Sequence, residues 1–295
     1  MIEIAPEVQA ALDSGRGVVA LETTLVAHGF PAGEGLDVAV AAERRVRETG
    51  AVPATVGVLA GRVRIGLSEH ELERFAAAGS SARKAGPRDL AVCVAEGVLG
   101  ATTVGGTLAA CSVSGIRFLG TGGIGGVHRG FSDRPDVSAD LGELARAQAL
   151  VVSSGVKSLL DVPATLEVLE ALGVPVLGWQ TETLPLFYTA GGGPRVPAKV
   201  ATASEAAAVA HAHWSLGRAG LLLARAPAES LDVEPLIEAA LAEARSRDVV
   251  GQDVTPFVLA EIHRETAGES VRINKRLIVD NAGLAAEVAT AHADR

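Results

Sequence analysis

The stretch IRFLGTGGIGGVHRG, residues 116–130, decides the fold class. An apolar run (Ile116, Phe118, Leu119) passes directly into a segment with six glycines in eleven positions, residues 120–130. A short apolar run ending in a glycine-rich turn reads as a buried strand leading to a strand-end loop. Two further runs have the same form. Residues 17–21 (GVVAL) end in Glu22-Thr23-Thr24, and residues 150–153 (LVVS) end in Ser154-Gly155-Val156-Lys157. Further strands are expected at residues 55–59, 63–66, 175–177 and 220–223. Alanine-rich helical stretches alternate with them, among them residues 34–48, 68–77, 89–97, 138–147, 164–172, 204–216, 235–247, 256–266 and 279–293. This alternation predicts an α/β layer fold with a largely parallel sheet. In TVGVLAGRVRIG, residues 55–66, two strand-like runs flank Ala60-Gly61-Arg62. That pattern predicts a hairpin and makes the sheet mixed. No long linker or repeat divides the chain, so one domain over residues 1–295 is expected; Gly191-Gly192-Gly193 reads as a loop.

Composition bounds the function. Of 295 residues, 48% are hydrophobic and 21% charged, enough to bury a full core. The net charge of −9 speaks against a bulk nucleic-acid binder. No apolar stretch approaches the ~18 residues of a membrane span, and the first 15 residues have no signal-peptide pattern. Cys93 and Cys111 form no CxxC pair and read as reduced core residues, so a cytoplasmic protein is expected. Only four of the 26 basic residues are lysines: Lys84, Lys157, Lys199 and Lys275. A retained lysine draws attention because it alone offers a deprotonatable amine.

In open α/β sheets, ligands bind beyond the carboxyl ends of the strands. The glycine loop could bring its N–H groups close to an anion, or it could be a close-packed turn. Its spacing is not the Walker pattern; residues 120–125 match GxGxxG, alone a weak signal for dinucleotide binding. His128 and Arg129 add a titratable donor and a cation beside it. Glu22 is either a cap or an acid/base with a raised pKa. Lys157 is either a surface lysine or an amine whose pKa burial lowers, able to form an imine. Lys84 reads as a loop cation or a phosphate contact. Ser138 reads as an N-cap, and Asp136 with Asp140 could hold a hard cation through water. His211 and His213 stand two apart and make no metal pair. Trp179 and Trp214 read as core, and Asn274 and Asn281 as caps or ligand readers.

Seven motifs occur in order: VALETT (19–24), SARKAGPRDL (81–90), GATTVGGT (100–107), GTGGIGGVHRG (120–130), DVSADLGEL (136–144), VSSGVKSLLD (152–161) and TPF (255–257). Together they resemble the pseudouridine-5′-phosphate glycosidase family, which includes indigoidine-cluster homologues, over nearly the whole chain. The resemblance implies a three-layer α/β/α fold around a mixed sheet, a trimer, and reversible cleavage of the C–C bond joining uracil to C1′ of ribose 5-phosphate. In that family the sugar ring opens and C1′ joins a lysine as an imine. Lys157 matches the imine-forming lysine and Glu22 the proton donor. Lys84, Val104, Ser138, Ala139 and Asp140 match substrate-binding positions, and Asp136 the ligand of a divalent metal, usually manganese. Thr103, Thr121, His128 and Asn274 or Asn281 are implied pocket residues. The chain departs from the family pattern at Phe30-Pro31-Ala32-Gly33, at Ala224-Arg225-Ala226-Pro227-Ala228-Glu229 and at Lys199-Val200-Ala201-Thr202. These departures fall in loops that could shape the aglycone side. They motivate a second reading, a synthase that attaches ribose 5-phosphate to a planar aromatic acceptor, as alnumycin-type C-ribosylating enzymes do. Two further classes are a two-carboxylate N-glycosidase using Asp136 and Asp140, and a non-catalytic sugar-phosphate binder.

Overall fold

The computed structural model describes residues 1–31, 33–133 and 135–295, and of Gln252 the backbone alone. In chain order the strands are β1 (Ile2–Ile4), β2 (Val18–Glu22), β3 (Val52–Leu59), β4 (Arg62–Ile65), β5 (Arg83–Ala85), β6 (Gly100–Thr102), β7 (Phe118–Gly120), β8 (Val127–His128), β9 (Leu150–Ser153), β10 (Leu160–Asp161), β11 (Val176–Trp179), β12 (Ala198–Val200) and β13 (Leu221–Arg225). The helices are α1 (Pro6–Asp13), α2 (Thr24–His28), α3 (Glu34–Glu48), α4 (Glu69–Ala78), α5 (Leu90–Glu96), α6 (Val104–Ser114), α7 (Ala139–Leu144), α8 (Val162–Ala171), α9 (Ala203–Ser215), α10 (Glu234–Ser246), α11 (Val254–Glu265) and α12 (Glu269–Ala293).

The main sheet runs β1-β4-β3-β2-β7-β9-β13-β11-β12, with β6 pairing β3 and β5 pairing β6. From β3 to β12 every pair along that order is parallel. Both faces of those central strands are buried, which explains their continuous apolar runs in place of alternation. The sheet is mixed because β3 meets β4 and β6 antiparallel. The expected hairpin is the β3–β4 connection, where Leu59 pairs Arg62. Its two turn residues, Ala60 and Gly61, have φ of 51° and 71°, the sign that a type I′ turn requires.

Helices cover the sheet in the three-layer α/β/α arrangement. The long α12 lies across β2, β7 and β9 and packs on α3 and α9, while α6 packs on α7, β2 and β3. The approach of α12 is close: a methyl on Gly120 would stand 2.8 Å from Ala282 Cα. Cys93 and Cys111 are free and buried, and Trp214 is core, as expected. Trp179 is only half-buried. Because β2, β7 and β9 are adjacent and parallel, their carboxyl ends bring Glu22, the glycine loop and the Lys157 turn to one crevice.

Candidate active site

Glu22 is the last residue of β2 and is 5% exposed. Its two oxygens accept the hydroxyls of Thr24, at the start of α2, and Thr121, in the loop after β7. Burial raises its pKa most strongly, and nearby Asp140 adds to that. Lys157 and the two threonine hydroxyls oppose the rise without cancelling it. A carboxyl held protonated to higher pH is a proton donor.

Lys157 is half-buried one turn after β9, and its backbone N–H donates to Ile124 O at 3.1 Å. Lys84, in β5, lies close enough to feel the Lys157 charge. Burial first, and Lys157 second, lower the Lys84 pKa to about 8. Glu22, Lys84 and Lys157 line one cavity of about 620 Å³ with Thr103, Val104, Gly125, His128, Asp136, Ser138, Ala139 and Asp140. Thr121 reaches this centre through Glu22. His128 has its pKa lowered, chiefly by burial, although Asp136 opposes the shift with its Oδ2 3.9 Å from His128 Nδ1. The imidazole is therefore neutral near pH 7.

The glycine loop is packed closely against its neighbours. Five of its N–H groups bond inside the protein: Thr121 on Val152 O, Ile124 on Gly155 O, Gly125 on Asp140 Oδ2, Val127 on Thr165 Oγ1 and His128 on Asp136 O. Within residues 120–130 only Gly130 has positive φ. The other glycines are there for close approach. A methyl on Gly125 would meet Ser138 Oγ at 2.3 Å, and one on Gly126 would meet Thr165 Oγ1 at 2.4 Å. Arg129 is likewise not a free cation. It donates to Ser158 O (2.7 Å) and Leu160 O (3.3 Å) and pairs with Glu234, bracing the turn that carries Lys157.

Asp140 is 5% exposed, with Oδ1 accepting Gly105 N–H and Oδ2 accepting Gly125 N–H, both at 2.8 Å. It ties the first turn of α6 to the glycine loop. Ser138 is the expected N-cap, its Oγ accepting Asp140 N–H at 3.2 Å, and Thr103 caps α6 at Gly106 N–H. The two asparagines separate. Asn281 donates to Thr121 O (2.8 Å) and Ser154 Oγ (3.1 Å) and so holds the strand ends together. Asn274 lines a second, narrower cavity of about 60 Å³ beside Glu22 and Lys157, and its buried Oδ1, like that of Asn281, has no partner among the described residues. Phe187 lines the same cavity and is a residue the sequence reading missed. It has φ of 61°, and its ring lies against Gly123, where a methyl would meet it at 2.6 Å. Nothing local in LPLFYT announces that backbone state.

The chain matches the family described as indigoidine synthase A-like protein over residues 7–291. It belongs to that family. A pseudouridine-5′-phosphate glycosidase of Herpetosiphon aurantiacus is 48% identical over 98% of this chain and 97% of its own. One from a Roseiflexus species is 49% identical over 98% and 95%. The prealnumycin C-glycosynthase AlnA, solved in complex with ribulose 5-phosphate, shares the fold with a TM-score of 0.90 at 35% identity, covering 100% of this chain and 97% of that one. An indigoidine synthase A-like protein of Thermotoga maritima does so with a TM-score of 0.88 at 36% identity, over 98% and 96%. Among the described residues of this family member, no helix is long and apolar enough to cross a membrane.

Proposed function

We propose that this enzyme is a C-glycosidase that interconverts pseudouridine 5′-phosphate plus water with uracil plus ribose 5-phosphate. One observation carries the reading: a protonatable carboxyl, Glu22, and an amine, Lys157, line the same cavity, with a second lysine beside them. An ordinary N-glycosidase expels nitrogen from an oxocarbenium-like centre. Carbon is a poorer leaving group, so the bond needs an electron source at C1′ and a proton at C5 of the base. The Lys157 amine adds to C1′ as the C1′–O4′ bond opens and O4′ takes a proton. Glu22 protonates C5, the C1′–C5 electron pair stays with the base, and the nitrogen lone pair forms the C=N bond. Water then adds to the protonated imine, releasing ribose 5-phosphate and restoring the amine. Lys84, Thr103, Val104, Ser138, Ala139 and His128 line the side assigned to the sugar phosphate. Asn274 and Phe187 line the side assigned to the base, where a carboxamide and a ring face suit a planar imide.

A divalent cation, Mn²⁺, belongs to the same proposal. Among the described residues no three His, Cys, Asp or Glu side chains gather as a chelating set. Asp136 is one-third exposed beside neutral His128, and a lone carboxylate of that kind fits a hard ion keeping mostly water ligands. Asp136 would hold it, and the ion would supply positive charge beside the sugar phosphate. Mn²⁺ titration calorimetry checks this, with binding expected to vanish in Asp136→Ala. A trimer in the cytoplasm completes the reading.

The test is incubation with ribose 5-phosphate and borohydride, followed by peptide mapping. A reduced pentose-phosphate adduct is expected on Lys157 and absent from Lys157→Ala. An active enzyme that gives no adduct overturns the imine route. Offering uracil and then aromatic acceptors identifies the product; exclusive use of the latter establishes the C-glycosynthase reading instead.

A further inference from the structure

Beyond the narrow cavity lies a third space, of about 610 Å³, that the chemistry above leaves unused. The three spaces form a series. The sugar-phosphate cavity shares Glu22, Thr24, Lys84, Lys157 and Thr255 with the narrow one. The narrow one shares His28, Gly29, Pro256 and Leu259 with the third. The reacting centre thus stands between two large spaces. Each reaches the surface, one past Arg88 and Arg146, the other past Pro31, Ala260 and Arg264.

The walls of the third space suit an uncharged planar molecule. Phe30, Pro31, Pro256, Leu259 and Val271 supply apolar surface. Among the described residues its cations are paired: Lys275 with Glu34 at 2.9 Å, Arg264 with Glu261 and Glu265, and Arg272 with Glu229 and Glu269. His28 and His263 are held neutral by burial. A phosphate dianion passing this way would lose its hydration and compete with those carboxylates. A pyrimidine would lose little.

We propose that the chamber has two mouths, and that the base enters and leaves through the one rimmed by Pro31 and Ala260 while the sugar phosphate uses the other. The inference rests on the C-glycosidase reading and adds a route to it. Its consequence is that free base exchanges without the sugar phosphate leaving the protein.

The test plugs the second mouth. Ala260 is an exposed residue of α11 and touches none of the reacting groups named above. In the synthetic direction, Ala260→Trp is expected to raise KM for uracil at least about tenfold and to leave KM for ribose 5-phosphate within about twofold. Exchange of labelled uracil into pseudouridine 5′-phosphate should slow in step, and Ala260→Ser should match the unsubstituted chain. Arg264→Trp, on the same rim, gives a second plug should the first fail to fold. An equal change in both KM values, a change in the sugar-phosphate KM alone, or no change in either overturns the second mouth and leaves the functional reading standing. An unsubstituted chain that makes no C-nucleotide overturns both.

Discussion

Glu22 and Asp140 are two carboxylates with the same 5% exposure, lining the same cavity, and they do opposite work. The partners make the difference. Asp140 receives two backbone N–H groups, which can only donate, so it serves as a fixed acceptor joining α6 to the glycine loop. Glu22 receives two threonine hydroxyls, which can turn round and accept. Glu22 can therefore gain a proton and keep its hydrogen bonds, whereas Asp140 cannot. Two carboxyls equally buried become an acid and a strut because of what donates to them.

Four experiments sharpen or break that contrast. The largest effect belongs to Glu22→Gln, expected to lower turnover by at least about 10² with the fold intact. Near-normal turnover would remove Glu22 from its role. Next come the strut and its glycine. Asp140→Asn leaves one buried amide facing a donor, and Gly125→Ala drives a methyl to 2.3 Å from Ser138 Oγ. Each should lower stability by about 1–3 kcal/mol, read in a urea titration. Gly191→Ala, with nothing within 4 Å, should change nothing measurable. Thr121→Val is smaller, lowering turnover by about tenfold or less through the lost hydroxyl. That hydroxyl lowers the Glu22 pKa, so its removal should move the alkaline limb of the pH–rate profile upward. The smallest effect is on stability. Burial raises the Glu22 pKa in the folded state, so its stabilising contribution is full below the ordinary carboxylate range and is lost as pH rises through the raised value. Glu22→Gln should accordingly gain thermal stability relative to the parent as pH rises above the ordinary carboxylate range, read from melting curves. The opposite sign would mean that the pKa is not raised.

Much of the frame was legible in the residues. The seven strands and nine helices read from apolar runs all form, and residues 34–48 and 150–153 keep their bounds. The pieces that escaped have little local signature. β5, β6, β8, β10 and β12 are two or three residues long and exist through pairing across the chain. The helix α6 opens with Val104-Gly105-Gly106, a poor helical start that Thr103 and Asp140 rescue. Glu22 and Lys157 were readable because each stands at or just after a strand end, whereas Lys84, in the unread β5, was carried by the motif SARKAGPRDL. The glycine loop was left with two readings, because a count of glycines cannot distinguish N–H groups offered to a ligand from backbone squeezed between neighbours. Asn274 and Asn281 were inseparable for a similar reason. They stand two helical turns apart on one face of α12, and only what lies opposite tells the reader from the brace.

The seam between residues 120–130 and 136–140 bears on how such proteins can be re-engineered. Gly125 and Ser138 fit each other to within a methyl group, Asp140 grips the loop, and Asp136 O anchors His128 N–H. A graft of either segment without the other would import a mismatch. The two travel as a cassette, and chimaeras within the family should be cut outside it.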